Sequence, residues 1–261
     1  MKFSACGWWF DDITCYEKAK AMGFDGIEKL SWKDFDLDEH AAAIRKAGIT
    51  STGIIVESKD ERTASYLAWN HGMVCDDTFE PMLRALDETI AAAKKLGVPN
   101  IILTTGNALE YVPRADQHRN IVETLRAMAP VAAEAGLNIV LEALNSKINH
   151  KGYYLDSSAE TFEIIREVNM PNVKMLFDIY HMQVMEGNII NTIQDNIEYI
   201  GHFHMADLPG RAQPGTGEIN YVNIIKAIKE TEYDGWMAFE CKRTVELDEL
   251  QRQLQPILAL K

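Results

Sequence analysis

One pattern recurs along the chain and constrains its fold: a helix-like stretch, then a glycine, then a short apolar run with strand character. It is seen in KAMGFDGIE, RKAGITSTGI, KKLGVPNIIL and AEAGLNIVLE. The glycines in question, Gly23, Gly48, Gly97 and Gly136, stand where a helix end favours a left-handed residue. A helix that leads into a strand in this way is half of a βαβ unit, so the pattern predicts an α/β fold.

Eight apolar or β-branched runs have the character of strands. They are KFSACGW, DGIEKLS, TSTGIIVE, NIILTTG, NIVLEAL, VKMLFDI, IGHFHMA and GWMAFEC. A predicted helix follows nearly every one, and the helices cover residues 13–22, 38–47, 79–96, 115–135, 158–168, 189–199, 221–231 and 247–259. Eight βα units predict a single (β/α)8 TIM barrel that occupies residues 1–261 as one catalytic domain. An open doubly wound sheet is the alternative, but no strand is followed by G-x-G-x-x-G opening a helix.

Composition narrows the classes of function. The chain has 39 Asp and Glu residues against 26 Lys and Arg residues, a net charge of −13, so it lacks the basic face that binding a phosphate backbone requires. No stretch approaches the roughly 20 apolar residues of a membrane helix, and the amino terminus does not resemble a signal peptide. The four cysteines are sparse and show no C-x-x-C spacing. We expect a soluble cytoplasmic protein with neither nucleic-acid nor membrane partners.

In a TIM barrel the catalytic groups lie at the carboxyl ends of the strands and in the loops that follow. Six predicted strands end near an acidic residue: Glu28, Glu57, Glu142, Asp178, Asp207 and Glu240. Because burying an unpaired charge costs several kcal/mol, several carboxylates at one mouth indicate a bound cation. Three carboxylates with one imidazole suit Mn²⁺, Mg²⁺ or Co²⁺, and such an ion stabilises the enediolate that forms when a proton is removed beside a carbonyl.

The imidazole is found in the run HFHMAD, which contains two histidines. His202 and His204 share the same strand parity, so either side chain can face the barrel interior. His204 is nearer the strand end, where ligands are expected. We therefore interpret His204 as the functional residue and His202 as part of the core.

Four segments of the second half carry a sharper likeness: LEALNSKINHKGYYL at 141–155, LFDIYHMQ at 176–183, ADLPGRAQPGTGEINY at 206–221 and GWMAFECK at 235–242. In these segments the chain resembles the hydroxypyruvate isomerases and, more broadly, the xylose-isomerase-like barrels that include the ketose 3-epimerases. The first half matches mainly in its pattern of strands and helices. The resemblance supports the barrel and implies a sugar isomerase or epimerase.

The resemblance also implies roles for individual residues. It implies four ligands of a divalent metal ion: Glu142, Asp178, His204 and Glu240. Glu142 and Glu240 would in addition form the catalytic acid/base pair. His181 and Arg211 would bind substrate oxygens, and a homo-oligomer is common among such proteins.

The chain departs from the pattern of the hydroxypyruvate isomerases in one feature and from that of the epimerases in others. The isomerases usually have glutamine as the third ligand, whereas His204 is the choice of the epimerases. Conversely, the long PGRAQPGTGEINY stretch is that of the isomerases, and NSKINHK lacks a second glutamate that the epimerases place shortly after the first ligand. Arg211 favours a substrate with a carboxylate, because a guanidinium pairs with a carboxylate through two hydrogen bonds.

The sequence therefore predicts a metal-dependent isomerase that acts through an enediolate, with conversion of hydroxypyruvate to tartronate semialdehyde as the leading reaction. A ketose 3-epimerase is the alternative enzyme, because returning the proton to the other face of the same carbon uses the same residues. Two further alternatives are a DNA-repair endonuclease on the same barrel and a non-catalytic sugar-binding barrel. The endonuclease would need a basic groove and clustered histidines, and the binding barrel would have little use for paired carboxylates around a cation.

Overall fold

Nine parallel strands form one sheet in the computed structural model, which describes residues 1–261. They are β1 Lys2–Cys6, β2 Gly26–Glu28, β3 Thr50–Ser51, β4 Gly53–Ile55, β5 Asn100–Leu103, β6 Asn138–Glu142, β7 Val173–Asp178, β8 Ile200–Met205 and β9 Trp236–Phe239. Their order in the sheet is β3-β2-β1-β9-β8-β7-β6-β5-β4. The predicted TIM barrel is confirmed, with nine strands in place of eight.

The additional strand arises because the predicted third strand is divided in two. β3 pairs with β2 and β4 pairs with β5, so the two edges of the sheet belong to consecutive segments of the chain. Thr52 lies between them, where its backbone N–H donates to the Ile27 carbonyl at 3.1 Å and its carbonyl accepts from Asn100 Nδ2, also at 3.1 Å. A single residue with a contact on each side thus brings the barrel close to closure.

Ten helices surround the sheet: α1 Cys15–Ala21, α2 Leu37–Ala47, α3 Glu61–Tyr66, α4 Phe79–Leu96, α5 Arg114–Glu134, α6 Ser158–Val168, α7 Ile179–Met185, α8 Ile189–Asn196, α9 Tyr221–Lys229 and α10 Leu247–Leu258. The eight predicted helices are all present, with ends that differ by a few residues. α3 and α7 were not predicted, because each spans less than two turns and shows too little periodicity. None of the ten is long and apolar enough to cross a membrane.

Side-chain alternation along the strands divides the core into two parts. The larger part lies between the sheet and the helices and contains Phe177 and Phe203, both fully buried. A small apolar cluster of Ile102, Val140 and Leu176 forms a separate group on the other face of the strands, inside the barrel. Residues two positions further along the same strands face the same way, one layer closer to the carboxyl ends, and this layer forms the site described next.

Candidate active site

Strand register brings four of the predicted residues together at the mouth of the barrel. Glu142 and Asp178 end β6 and β7, His204 lies in β8 directly opposite Asp178 in the pairing, and Glu240 follows β9. Each contributes one ligand atom, and these four atoms lie within 4.8 Å of one another. The four residues come from consecutive strands of the sheet, which is why residues nearly 100 positions apart in sequence converge.

Three atoms of this group are buried and have no hydrogen-bond partner: Glu142 Oε1, Asp178 Oδ2 and His204 Nδ1. His204 Nδ1 lies 3.4 Å from the Glu142 oxygen and 3.5 Å from Glu240 Oε2. Buried polar atoms are nearly always paired, so lone pairs that converge in this way fit a cation bound by oxygen and nitrogen. The three carboxylates and the one nearby guanidinium leave two negative charges, which a divalent ion would offset.

The two glutamates on either side of His204 have opposite electrostatic environments. Burial raises the pKa of Glu142 above its ordinary value. Burial also acts to raise the pKa of Glu240, but His204 and the Arg211 guanidinium outweigh it and lower that pKa. A pair of carboxyl groups whose pKa values are pushed apart is suited to proton transfer, because one holds a proton where the other releases it.

His181 is held as a neutral hydrogen-bond donor at the edge of this cluster. It lies in the first turn of α7, where its backbone N–H donates to Asp178 Oδ1 at 3.1 Å. Its Nδ1 accepts from the backbone N–H of Asn145 at 3.0 Å, and burial lowers the pKa of the imidazole to about 3. The proton is therefore on Nε2, which is 3.5 Å from Asp178 Oδ2 and has no hydrogen-bond partner.

Arg211 reaches the cluster from the loop between β8 and α9. Its Nη2 donates to Glu240 Oε2 and is 3.9 Å from Asp178 Oδ2. The backbone of Arg211 has φ +56°, in the left-handed region, and its carbonyl accepts from the Lys242 N–H at 2.8 Å. All six residues singled out by sequence for this site thus lie in one cluster.

The other strand-end carboxylates have different surroundings. Glu57 accepts hydrogen bonds from the Ser31 hydroxyl and from the Trp32 backbone N–H, both at 2.9 Å, and contacts none of the four clustered residues. Asp207 points its carboxylate into its own loop and accepts from four backbone N–H groups there. Glu28 lies behind His204 and binds its other nitrogen, Nε2, at 2.6 Å. Position at a strand end was therefore insufficient to identify a ligand.

A cavity of about 290 Å³ opens beside the cluster. Glu142, Glu240 and Arg211 line one side, and most of the other lining side chains are apolar. Trp69 and His150 also line it, with ring centroids 5.2 Å apart, and His150 Nε2 has no hydrogen-bond partner. Sequence reasoning missed Trp69, His150 and Asn145 because they lie in irregular loops, where no periodicity shows which way a side chain points.

Comparison with known proteins agrees with this architecture. Residues 16–258 match the family model of the xylose isomerase-like TIM barrel. The chain belongs to this family. It is 31% identical over 236 residues to hydroxypyruvate isomerase of Escherichia coli, covering 89% of this chain and 88% of that protein. It is 27% identical over 240 residues to 2-oxo-tetronate isomerase of Pectobacterium atrosepticum, covering 88% of this chain and 87% of the relative.

A solved structure of D-psicose 3-epimerase, determined in the presence of D-fructose, superposes with a TM-score of 0.74 at 25% identity. The match covers 93% of this chain and 85% of the epimerase. The resemblance to the hydroxypyruvate isomerases and the expectation of an isomerase-class enzyme are confirmed by these relatives. Both isomerases and epimerases of small sugars and sugar acids are thus represented among proteins with this fold.

Proposed function

We propose that this protein is a divalent-metal-dependent isomerase that converts hydroxypyruvate to tartronate semialdehyde. The observation that carries the proposal is the convergence of buried, unpaired Glu142, Asp178 and His204 ligand atoms with Glu240 on one point. The name of the 31% identical relative supplies the substrate. The single guanidinium in the cavity lining, that of Arg211, suits the carboxylate of such a substrate.

The four clustered residues would hold Mn²⁺, Mg²⁺ or Co²⁺, since hard and borderline ions favour carboxylate and imidazole ligands. When bound, the ion would offset the negative charge that develops on the substrate oxygens as a proton leaves the neighbouring carbon. Proton transfer and substrate binding would be carried out by the side chains.

One glutamate of the Glu142 and Glu240 pair removes a proton from C3 of hydroxypyruvate, and the electrons of that C–H bond form the C2–C3 double bond of an enediolate. A proton returned to C2, with the proton of the C3 hydroxyl passing to the C2 oxygen, leaves an aldehyde at C3 and a hydroxyl at C2. His181 donates from Nε2 to a substrate oxygen, and Arg211 pairs with the carboxylate. Glu142 ends β6 and Glu240 follows β9, on opposite sides of β7 and β8, so they approach the substrate from two directions.

A ketose 3-epimerase is the second candidate, and His204 is the observation that favours it. This reaction would use the same pair of glutamates, with the proton returned to the opposite face of the carbon that lost it. The cavity favours the shorter substrate. Apart from Glu142, Glu240 and Arg211, most of its lining is apolar and includes Leu30, Ile55, Leu67 and Leu144, and these side chains offer no partners to the additional hydroxyl groups of a hexose.

Glu142→Gln and Glu240→Gln test the proposal directly. Each removes a proton-transferring group at nearly constant volume, so kcat for hydroxypyruvate should fall by about 10²- to 10⁴-fold. Circular dichroism should be unchanged, and NMR of the product separates isomerisation from epimerisation. Glu123→Gln, which alters an exposed carboxylate of α5, is the control. Full activity in both active-site variants would overturn the assignment.

A further inference from the structure

Behind the proposed metal ligand His204 lies a further buried carboxylate, that of Glu28 at the end of β2. Only 3% of Glu28 is exposed. Its Oε1 lies 2.6 Å from His204 Nε2, and its Oε2 lies 2.9 Å from His202 Nε2. The Thr52 hydroxyl also donates to Oε2, at 3.1 Å. One carboxylate thus binds His204 and lies beside a second imidazole of the same strand, that of His202, whose Nε2 makes no hydrogen bond.

The hydrogen bond at Nε2 determines what the other nitrogen of His204 can do. A carboxylate accepts hydrogen bonds and cannot donate them, so the proton of a neutral His204 is on Nε2. The lone pair is then on Nδ1, the atom that faces Glu142 and Glu240. Without Glu28, the carboxylates of Glu142 and Glu240 beside Nδ1 would favour a proton on that nitrogen, and the ring would also lose the contact that fixes its orientation.

The surroundings of Glu28 are shaped to keep this carboxylate in place. A Cβ atom at position 53 would lie 2.4 Å from Glu28 Oε2, so Gly53 is the residue that leaves room for it. On the far side, Asn100 Nδ2 lies 3.5 Å from His202 Nδ1, while the Asn100 side-chain oxygen accepts from Asn138 Nδ2 at 3.3 Å. The amide of Asn100 is therefore oriented to donate to His202 Nδ1, which places the proton of a neutral His202 on Nε2, the nitrogen that lies nearer Glu28.

We propose that Glu28 is a positioning residue for the metal site: it binds the ring of His204 from behind, fixes Nδ1 as the ligand atom, and raises the affinity of the site for a divalent cation. The inference rests on the proposed function for the presence of the cation. It adds a residue that acts through His204 and is not itself one of the four proposed ligands. Carboxylates that orient a ligating histidine typically change metal affinity by about 10- to 100-fold.

Isothermal titration calorimetry of the metal-free protein with Co²⁺ tests the positioning role of Glu28 without any activity measurement. Glu28→Gln should raise the Kd for Co²⁺ by about 10- to 100-fold. Glu57→Gln is the matched control, because Glu57 also accepts from a hydroxyl and from backbone N–H groups at a strand end but contacts no histidine. Its Kd should match that of the unaltered chain.

Gly53→Ala provides a second variant should Glu28→Gln not fold, because the added methyl group displaces the Glu28 carboxylate and leaves its charge intact. It should weaken Co²⁺ binding by about tenfold. If Glu28→Gln and Gly53→Ala, or whichever of them folds, bind Co²⁺ as tightly as the unaltered chain, Glu28 has no positioning role. That result would leave the proposed function standing. Absence of Co²⁺ binding by the unaltered chain would overturn both.

Discussion

Asp207 is predicted to hold the loop that carries Arg211, and Asp207→Asn tests this. The side chain is fully buried and accepts from the backbone N–H groups of Leu208 at 2.9 Å, Gly215 at 2.8 Å, Gly217 at 2.9 Å and Ile219 at 3.1 Å. Two of these bonds go to each carboxylate oxygen. Asparagine retains one oxygen and turns an NH₂ group toward the other two donors, so two backbone N–H groups lose their charged acceptor.

Each such loss costs about 1–3 kcal/mol, so the substitution should lower the free energy of unfolding by about 2–6 kcal/mol, or open the loop locally at a similar cost. Urea unfolding measures the first outcome, and hydrogen exchange at the Gly215 and Gly217 amides measures the second. Because the same loop bears Arg211, KM for hydroxypyruvate should rise as well. Glu218→Gln, an equal change of charge on an exposed side chain of the loop, is the control. Stability, amide protection and KM equal to those of the control would show that Asp207 does not hold this loop.

Three further predictions concern the metal, the substrate and the stability of one helix. Mg²⁺ or Co²⁺ at 100 times its Kd should stabilise the fold by about 2.7 kcal/mol in thermal unfolding, and EDTA should abolish the effect; equal Tm values with and without the ion would contradict the site. Arg211→Lys keeps the charge but loses the two-pronged geometry, so steady-state kinetics should show KM for hydroxypyruvate raised by about tenfold, whereas an unchanged KM would remove Arg211 from carboxylate recognition. Hydrogen bonds from the backbone N–H groups of Glu39 and Asp38 lower the pKa of Asp36 at the start of α2. The stability advantage of the unaltered chain over Asp36→Ala should therefore be complete above about pH 4 and disappear as the pH falls through the lowered pKa; a pH-independent difference in urea unfolding would contradict this.

The barrel was predictable because its signal is repeated. Gly48 and Gly97 end α2 and α4 in the left-handed conformation that the sequence indicated, with φ of +59° and +71°. The division of the third strand was not predictable. It depends on Thr52, whose contacts with Ile27 and Asn100 come from neighbouring strands and leave no local trace in the sequence.

The site was predictable to the extent that strand ends and motifs marked it. Side-chain parity places Glu142, Asp178 and His204 in one layer, and their chemistry indicated a cation. Position near a strand end also selected Asp207, but its carboxylate accepts hydrogen bonds from the backbone of its own loop. Asn145 could not be found by either route, because its importance depends on two contacts with His181 Nδ1, from its backbone N–H and its side-chain amide, that only the folded loop creates.

The central claim is that this chain removes a proton beside a carbonyl with a pair of glutamates at a divalent metal site. The most direct measurement is proton NMR of hydroxypyruvate in D₂O with the Mg²⁺-loaded protein, since Mg²⁺ does not broaden the signals. We predict that the C3 proton signal decays and that tartronate semialdehyde carries deuterium at C2, with neither change after EDTA treatment or in the Glu142→Gln and Glu240→Gln variants. Exchange no faster than in protein-free solution, for hydroxypyruvate and for a panel of ketoses alike, would contradict the account.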